Sequence, residues 1–189
     1  TNVPRDFVEL PSQVMENWAA EPEVLKLYAK HYKTGEVIPD ALIEKMKKAG
    51  TFDQGFATTE YLAASFLDMQ YHTATSEIKD DLNTFELNAM KKIGLIDPIL
   101  PRYRSTYFSH IFAGGYSAGY YVYYWAAVLD SDAFNYFKES GDLFNQELAA
   151  KFRQHCLQEC GNDEGMVQYK KFRGQEPSNE PFLKKHGLK

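Results

Sequence analysis

The sequence predicts an all-α protein, and three features of its residue pattern support that fold class. Apolar residues recur at intervals of three and four, as they do along one face of a helix. Prolines and glycines fall where such segments begin and end. No stretch alternates apolar and polar residues for long enough to build a sheet. We therefore expect several helices joined by short connections.

Five helices are predicted in the first half of the chain, most of them bounded by proline or glycine. They cover residues 6–18, 22–33, 39–50, 56–72 and 76–93, the last with a break near Asn83. In the fourth helix, Leu62, Phe66 and Met69 are expected to face the interior. Pro98 and Pro101 then impose an extended connection, because a residue before proline avoids the α region.

The first of these helices carries an apolar stripe and an acidic face. Phe7, Leu10, Val14 and Trp18 share the stripe, and Glu9 lies on the opposite face. Pro11 falls inside the helix, where it removes one donor and is expected to bend the axis. A glutamate on a polar helix face is usually solvated, so spacing alone gives Glu9 no role.

One stretch in the second half combines a histidine, two glycines and a run of aromatic residues. It covers residues 110–125 and reads H-I-F-A-G-G-Y-S-A-G-Y-Y-V-Y-Y-W. A helix starting near Ser117 would place Tyr116, Tyr120 and Tyr123 on one face. We expect this helix to continue to about residue 136.

A second aromatic stripe lies on the same predicted helix. It comprises Tyr121, Trp125 and Val128, and it is expected to be ordinary core. Two further helices are predicted beyond it, over residues 145–160 and 163–172.

The chemistry of this stretch suits the binding of an extended peptide. Phenols have an ordinary pKa of about 10, so they donate hydrogen bonds at neutral pH without carrying charge. Gly114 and Gly115 lack a Cβ and let another backbone approach closely. Such donors could stabilise a peptide carbonyl as it becomes an oxyanion. Aromatic stripes at helical spacing are also typical of core, so a structural role is the alternative for the tyrosines and for His110.

Length and charge exclude several classes of protein. The 189 residues suit one large domain or two small ones. With 21 basic and 26 acidic residues and no basic stripe, a nucleic-acid partner is not expected. No apolar run is long enough to cross a bilayer, so no membrane partner is expected. Cys156 and Cys160 are expected to be reduced thiols, because no histidine pair completes a metal site beside them.

Four segments together carry a resemblance that extends over essentially the whole chain. They read D-F-V-E-L-P-S-Q-V-M-E-N-W at 6–18, F-A-T-T-E-Y-L-A-A-S at 56–65, the stretch at 110–125, and Y-K-K-F-R-G-Q-E-P-S-N-E-P-F-L at 169–183. The sequence resembles the thimet oligopeptidase family of zinc metallopeptidases, and in particular its bacterial peptidyl-dipeptidase branch.

The resemblance implies a fold and a place within a larger protein. Residues 1–189 would be the multi-helix C-terminal part of a single zincin-like helical metallopeptidase catalytic domain. The H-E-x-x-H helix of the family would lie upstream of Thr1, so two zinc ligands and the general base are expected to be missing here. We therefore expect the full-length protein to be an enzyme and this piece alone to be inactive. Cytoplasmic localisation is expected, or periplasmic if a signal peptide precedes the piece.

The resemblance also implies roles for individual residues. Glu9 matches the third zinc ligand, and the one zinc ion of the full-length enzyme is not expected to be retained by this piece. Tyr116 and Tyr123 match tyrosines that stabilise the tetrahedral intermediate. The expected substrate-binding residues of the same stretch are His110, Gly114, Gly115 and Tyr120.

The implied function is hydrolysis of oligopeptides with release of C-terminal dipeptides. Arg102 and Arg104 are candidates by charge and position for binding the substrate carboxylate, since a guanidinium can contact it through two hydrogen bonds. Solvated loop arginines are the alternative. An endo-acting oligopeptidase of the same family, a non-catalytic helical module that binds peptides, and a purely structural bundle remain as other interpretations. The truncated piece is also expected to self-associate through faces that normally meet the rest of the domain.

Overall fold

The computed structural model describes residues 2–189, and helices dominate them. The ten α-helices are α1 Leu10–Ala19, α2 Pro22–Tyr28, α3 Asp40–Gly50, α4 Gln54–His72, α5 Leu82–Lys92, α6 Ser109–Phe112, α7 Val122–Glu139, α8 Gln146–Phe152, α9 Gly165–Arg173 and α10 Glu180–Lys185. A 3₁₀ turn covers Ser105–Tyr107, and a π-helical segment, Arg153–Gln158, continues α8. Within residues 2–189 no strand forms, and one isolated antiparallel bridge joins Lys30 to Val37. The all-α prediction is confirmed.

The chain divides into two compact units, each with an apolar core of its own. The first unit contains residues 2–52 and 124–189, and the second contains residues 53–123. The core of the first comprises Phe7, Leu10, Val14, Leu129, Ala133, Phe134, Phe137, Leu148, Phe152, Cys156, Tyr169 and Phe172. The core of the second comprises Ala63, Ala64, Leu67, Ala89, Met90, Phe108, Ile111 and Tyr120.

Helix α1 begins later than predicted. Residues 5–9 form turns, so α1 starts at Leu10 and Pro11 lies in its first turn. Proline is tolerated there because the first amides of a helix have no partner within it, so the expected bend inside a longer helix is wrong. The apolar stripe is confirmed, because Phe7, Leu10 and Val14 are buried and the partly buried Trp18 packs against the same core.

Two other helices are shorter than predicted. Helix α2 ends at Tyr28 because the chain turns back on itself, with the amide of Ile38 donating to the carbonyl of Ala29 at 2.9 Å. Helix α5 begins at Leu82. The carboxylate of Asp81 caps it by accepting hydrogen bonds from the amides of Asn83 and Thr84. Residues 76–81 are therefore not helical, and the expected break falls at the N-cap.

Helix α4 buries a different face from the predicted one. Phe66 is 48% exposed, whereas Ala63, Ala64 and Leu67 are buried. Ala63, Ala64 and Leu67 form the buried face of the helix, and the two alanines are small enough for neighbouring segments to pack closely. The expectation that Phe66 faces the interior is wrong.

The second aromatic stripe is also mostly outside the core. Tyr121 is 48% exposed and Trp125 is 44% exposed. Helix α7 starts at Val122, and its buried face follows from Val122 through Ala126 to Leu129. The prediction that Tyr121 and Trp125 are ordinary core is therefore wrong.

The first unit encloses a buried polar network beside its aromatic core. Asp132 is 1% exposed and accepts hydrogen bonds from the phenol of Tyr169 and, at 3.1 Å, from Nε of Arg173. Burial is the main cause that raises the pKa of Tyr169, and its hydrogen bond to Asp132 adds to the shift. Tyr169 therefore keeps its proton and acts as a donor.

The two cysteines are free thiols, as predicted. Burial raises the pKa of Cys156 to about 12. No helix among residues 2–189 combines the length and the apolar character needed to span a membrane.

Candidate functional site

The three predicted tyrosines do not share a helix face, yet their rings meet. Helix α7 begins at Val122, so Tyr116 and Tyr120 lie in the turns before it, and the helix predicted from Ser117 is wrong. The rings of Tyr116 and Tyr123 are nevertheless stacked, with centroids 5.1 Å apart. The ring of Tyr120 packs edge-on against Tyr123 at 5.4 Å. The turns bring the phenols together, where the sequence pattern suggested a helix.

The imidazole of His110 lies among these rings. Its centroid is 6.2 Å from those of Tyr116 and Tyr123 and 5.6 Å from that of Tyr120. Tyr103 lies closer still, at 4.8 Å. We call Tyr103, His110, Tyr116, Tyr120 and Tyr123 the tyrosine cluster. Sequence reasoning missed Tyr103, whose only signal is its place between two arginines.

Members of the tyrosine cluster differ in their access to solvent. Tyr120 is 2% exposed, whereas Tyr116 and Tyr123 are half-buried. Burial raises the pKa of Tyr120 to about 12, and the positive charge of Arg102 opposes part of that shift. Tyr120 therefore stays protonated and packs like a core residue, with its backbone carbonyl accepting a hydrogen bond from the Tyr61 phenol at 2.7 Å. Of the three predicted tyrosines, Tyr116 and Tyr123 are therefore the two that a ligand could reach.

One nitrogen of His110 is left without a hydrogen bond. Nδ1 is buried and has no partner among the described residues. Buried polar atoms usually have a partner, so such an atom marks a place where a ligand or a water can bind. His110 is thus better suited to a binding role than a lone histidine on an apolar face would be.

A carboxylate from α4 holds the turn in which the tyrosines lie. Asp68 is fully buried, and its two oxygens accept hydrogen bonds from the amides of Ala118 and Tyr120, both at 2.9 Å. Ala118 has a φ of 52°, which residues with a Cβ rarely adopt. Sequence reasoning missed Asp68, although an aspartate on the small apolar face of a helix is an unusual feature.

The double glycine is required by the loop itself. A Cβ at Gly114 would lie 3.0 Å from Cα and 3.1 Å from the carbonyl oxygen of His110, which is tighter than ordinary contacts. Gly115 has a φ of 79°, in the left-handed region that favours glycine. The backbone that approaches Gly114 thus belongs to α6. Contact between these glycines and a substrate stays a prediction.

The two candidate arginines lie in different surroundings. Arg102 is exposed, and its guanidinium carbon lies 5.8 Å from the ring centroid of Tyr103, while its charge acts on the phenol of Tyr120. The guanidinium of Arg104 is paired with Glu86, which is 3% exposed and also accepts hydrogen bonds from the amide and hydroxyl of Ser105 at 2.9 and 2.8 Å. Arg102 therefore adjoins the tyrosine cluster, whereas Arg104 is engaged within the fold.

Glu9 belongs to the first unit and stands immediately before α1. It is half-buried, and the hydroxyl of Ser12 donates to its Oε2 at 3.2 Å. No three histidine, cysteine, aspartate or glutamate side chains within residues 2–189 form a group that could hold a metal. A catalytic zinc ion typically takes three protein ligands, so these residues do not by themselves fit a zinc site.

The comparisons with known proteins agree with one another. The model of peptidase family M3 matches residues 1–188. Dipeptidyl carboxypeptidase from Escherichia coli K12 is 44% identical over all of this chain, and oligopeptidase A from the same organism is 40% identical over all of it. Saccharolysin from Saccharomyces cerevisiae is 35% identical over 99% of the chain. The chain spans 28% of the length of the two bacterial relatives and 26% of saccharolysin.

Proposed function

Because this chain belongs to peptidase family M3, as the resemblance to the thimet oligopeptidase family predicted, we propose that it is part of a zinc-dependent peptidyl-dipeptidase. The full-length protein hydrolyses oligopeptides and releases C-terminal dipeptides, acting in the cytoplasm. Residues 1–189 form the C-terminal part of a single catalytic domain and are inactive alone. The relative named dipeptidyl carboxypeptidase, at 44% identity, supports this reaction.

The observation that carries the proposal is the stacked pair of half-buried phenols beside His110. When water adds to a peptide carbonyl, its oxygen becomes negatively charged and needs hydrogen-bond donors. Tyr116 and Tyr123 supply neutral O–H donors there, and the loss of one such donor typically costs about 3 kcal/mol of transition-state stabilisation. His110 and the glycine loop orient the peptide, whereas the buried Tyr120 supports the ring of Tyr123.

The zinc dependence is a proposal about the full-length protein. Glu9 serves as one carboxylate ligand, and Ser12 orients it through the hydrogen bond to Oε2. The described residues do not complete the site, so the other ligands have to come from elsewhere in the protein.

Oligopeptide cleavage within the chain is the second candidate activity. It is favoured by the 40% identity to the relative named oligopeptidase A, which is close to the 44% of the dipeptidyl carboxypeptidase. A dipeptide-releasing enzyme has to recognise the free carboxylate of its substrate. Arg102 is the better placed candidate, because its exposed guanidinium adjoins Tyr103 and Tyr120.

The experiment uses the full-length protein and peptides that differ only at the C-terminus. Free-acid and amidated forms of one chromogenic peptide are compared, with and without a chelator. Preference for the free acid, lost in Arg102→Ala or Arg104→Ala, supports dipeptide release and identifies the anchor. Equal cleavage of both forms supports the endo-acting enzyme. Binding of the peptide without any chelator-sensitive cleavage would leave only a peptide-binding module.

A further inference from the structure

A buried aspartate links α4 to the turn that carries the tyrosines. We propose that Asp68 is a positioning residue, which fixes the turn at residues 117–121 and thereby sets the places of the Tyr116 and Tyr123 phenols. The contacts that carry this inference are the two hydrogen bonds, each of 2.9 Å, from the amides of Ala118 and Tyr120 to different oxygens of one carboxylate. The expected effect of Asp68 on the reaction rests on the proposed function, whereas its effect on the turn does not.

The turn has a conformation that needs such support. Ala118 has a φ of 52°, in the left-handed region where its Cβ crowds the backbone. The amide of Gly119 donates to the carbonyl of Tyr116 at 2.9 Å, so the chain reverses tightly around Ala118. The carboxylate of Asp68 stabilises this reversal by accepting hydrogen bonds from the amides of Ala118 and Tyr120, on both sides of Gly119.

Among the natural side chains of this size, only a carboxylate has an acceptor oxygen at both positions of residue 68. Oδ1 accepts from Ala118 and lies 2.8 Å from Nδ1 of His72, while Oδ2 accepts from Tyr120. An asparagine has one acceptor oxygen, and its amino group would face an N–H donor at the other position. A buried amide that loses its acceptor is costly, so the turn would relax to another conformation.

A change in the turn reaches both proposed catalytic phenols. Tyr116 precedes Ala118 by two residues, and Tyr123 follows Tyr120 by three at the start of α7. Displacement of a catalytic group by about 1 Å can lower a rate about 100-fold. The expected defect therefore lies in kcat, since the side chain of Asp68 itself is fully buried and touches no substrate.

The test measures kcat, KM and amide hydrogen exchange in the full-length enzyme. Asp68→Asn is expected to lower kcat about 100-fold with KM changed less than about threefold. The amides of residues 118 and 120 are expected to exchange at least about tenfold faster, since they lose their acceptor. Adding Ala118→Gly is expected to recover about tenfold of kcat, because glycine adopts positive φ without a steric cost.

Two further variants separate positioning from general stability. Asp132→Asn alters an equally buried aspartate of the first unit, and it is expected to lower the melting temperature while kcat is retained. Ala118→Val strains the turn at an exposed position without touching Asp68, so it tests the inference even if Asp68→Asn fails to fold. It is expected to lower kcat about tenfold, because a β-branched residue is poorly accommodated at positive φ.

Any one of three results would show that Asp68 does not position the tyrosines. An Asp68→Asn enzyme with kcat within twofold of the unaltered one, unchanged exchange at residues 118 and 120, or an Ala118→Val enzyme of full activity would overturn the inference. A full-length protein with no peptidase activity would instead refute the proposed function. In that case hydrogen exchange alone still decides whether Asp68 holds the turn.

Discussion

The phenol rings of Tyr116 and Tyr123 stack with centroids 5.1 Å apart and planes inclined by 26°. Phenylalanine can preserve this stack while removing one hydroxyl. We expect Tyr116→Phe and Tyr123→Phe in the full-length enzyme each to lower kcat about 100-fold, the effect of losing one oxyanion donor. Steady-state kinetics with one chromogenic peptide measure this loss, and thermal melting should be nearly unchanged.

Tyr121→Phe is the matched control for these variants. It removes a hydroxyl from the same segment. Tyr121 is 48% exposed and is not a member of the tyrosine cluster, so its hydroxyl has no proposed role. Its kcat should equal that of the unaltered enzyme. If all three variants behave alike, the phenol hydroxyls have no special part in the reaction.

Glu9 should matter for zinc only in the full-length protein. One carboxylate cannot replace the three protein ligands of a catalytic zinc site, so the isolated chain should retain no stoichiometric zinc after dialysis. In the full-length protein, Glu9→Gln should weaken zinc binding, whereas Glu16→Gln, within α1, should not. Elemental analysis at micromolar protein concentration measures both. Stoichiometric zinc in the isolated chain would contradict the proposed assignment.

The ion pair between Arg104 and Glu86 should contribute to stability. Glu86 is 3% exposed, so Arg104→Ala leaves a buried carboxylate without its guanidinium. We expect a loss of about 2 kcal/mol in the free energy of unfolding, less than for a fully buried pair because Arg104 is partly exposed. Urea unfolding of the variant measures it. Arg153→Ala, at an exposed arginine, serves as control, and equal losses in the two would contradict the prediction.

Ionisation of Tyr120 should lower the free energy of unfolding at alkaline pH. Its pKa is about 12 in the folded state and about 10 when unfolded, so the unfolded chain loses the proton first. Its contribution to the free energy of unfolding is therefore complete below pH 10 and is lost as the pH rises towards 12. Unfolding of the unaltered protein and of Tyr120→Phe is compared between pH 9 and 12. The variant should show the shallower decline, and identical slopes would contradict this.

Local residue patterns predicted where most of the helices lie and three of the four tyrosines in the tyrosine cluster. Pro39 and Gly50 bound α3 as expected, and the stripe of Phe7, Leu10 and Val14 is buried. These features depend on neighbours within a few residues, where spacing and capping act directly. The family resemblance added roles for individual residues, which spacing alone could not provide.

Contacts between distant residues account for what the sequence pattern missed. The turn before α7 is hydrogen-bonded to Asp68, which lies 50 residues before Ala118 and accepts its amide hydrogen bond. The exposure of Phe66 depends on which face of α4 its neighbours cover. Tyr103 joins the tyrosine cluster through the path of the extended connection before α6. A helical period contains no information about such partners.

The crowding at Gly114 limits which substitutions this loop can accept. A side chain at residue 114 has to push aside the backbone of His110, so it would disturb the imidazole before it met any peptide. Ala118 is exposed, but its φ of 52° disfavours larger side chains, whereas Ala113 and Tyr121 are exposed without that restriction. Mutant libraries that aim at new peptide selectivity should therefore keep residues 114 and 118 and diversify Ala113 and Tyr121.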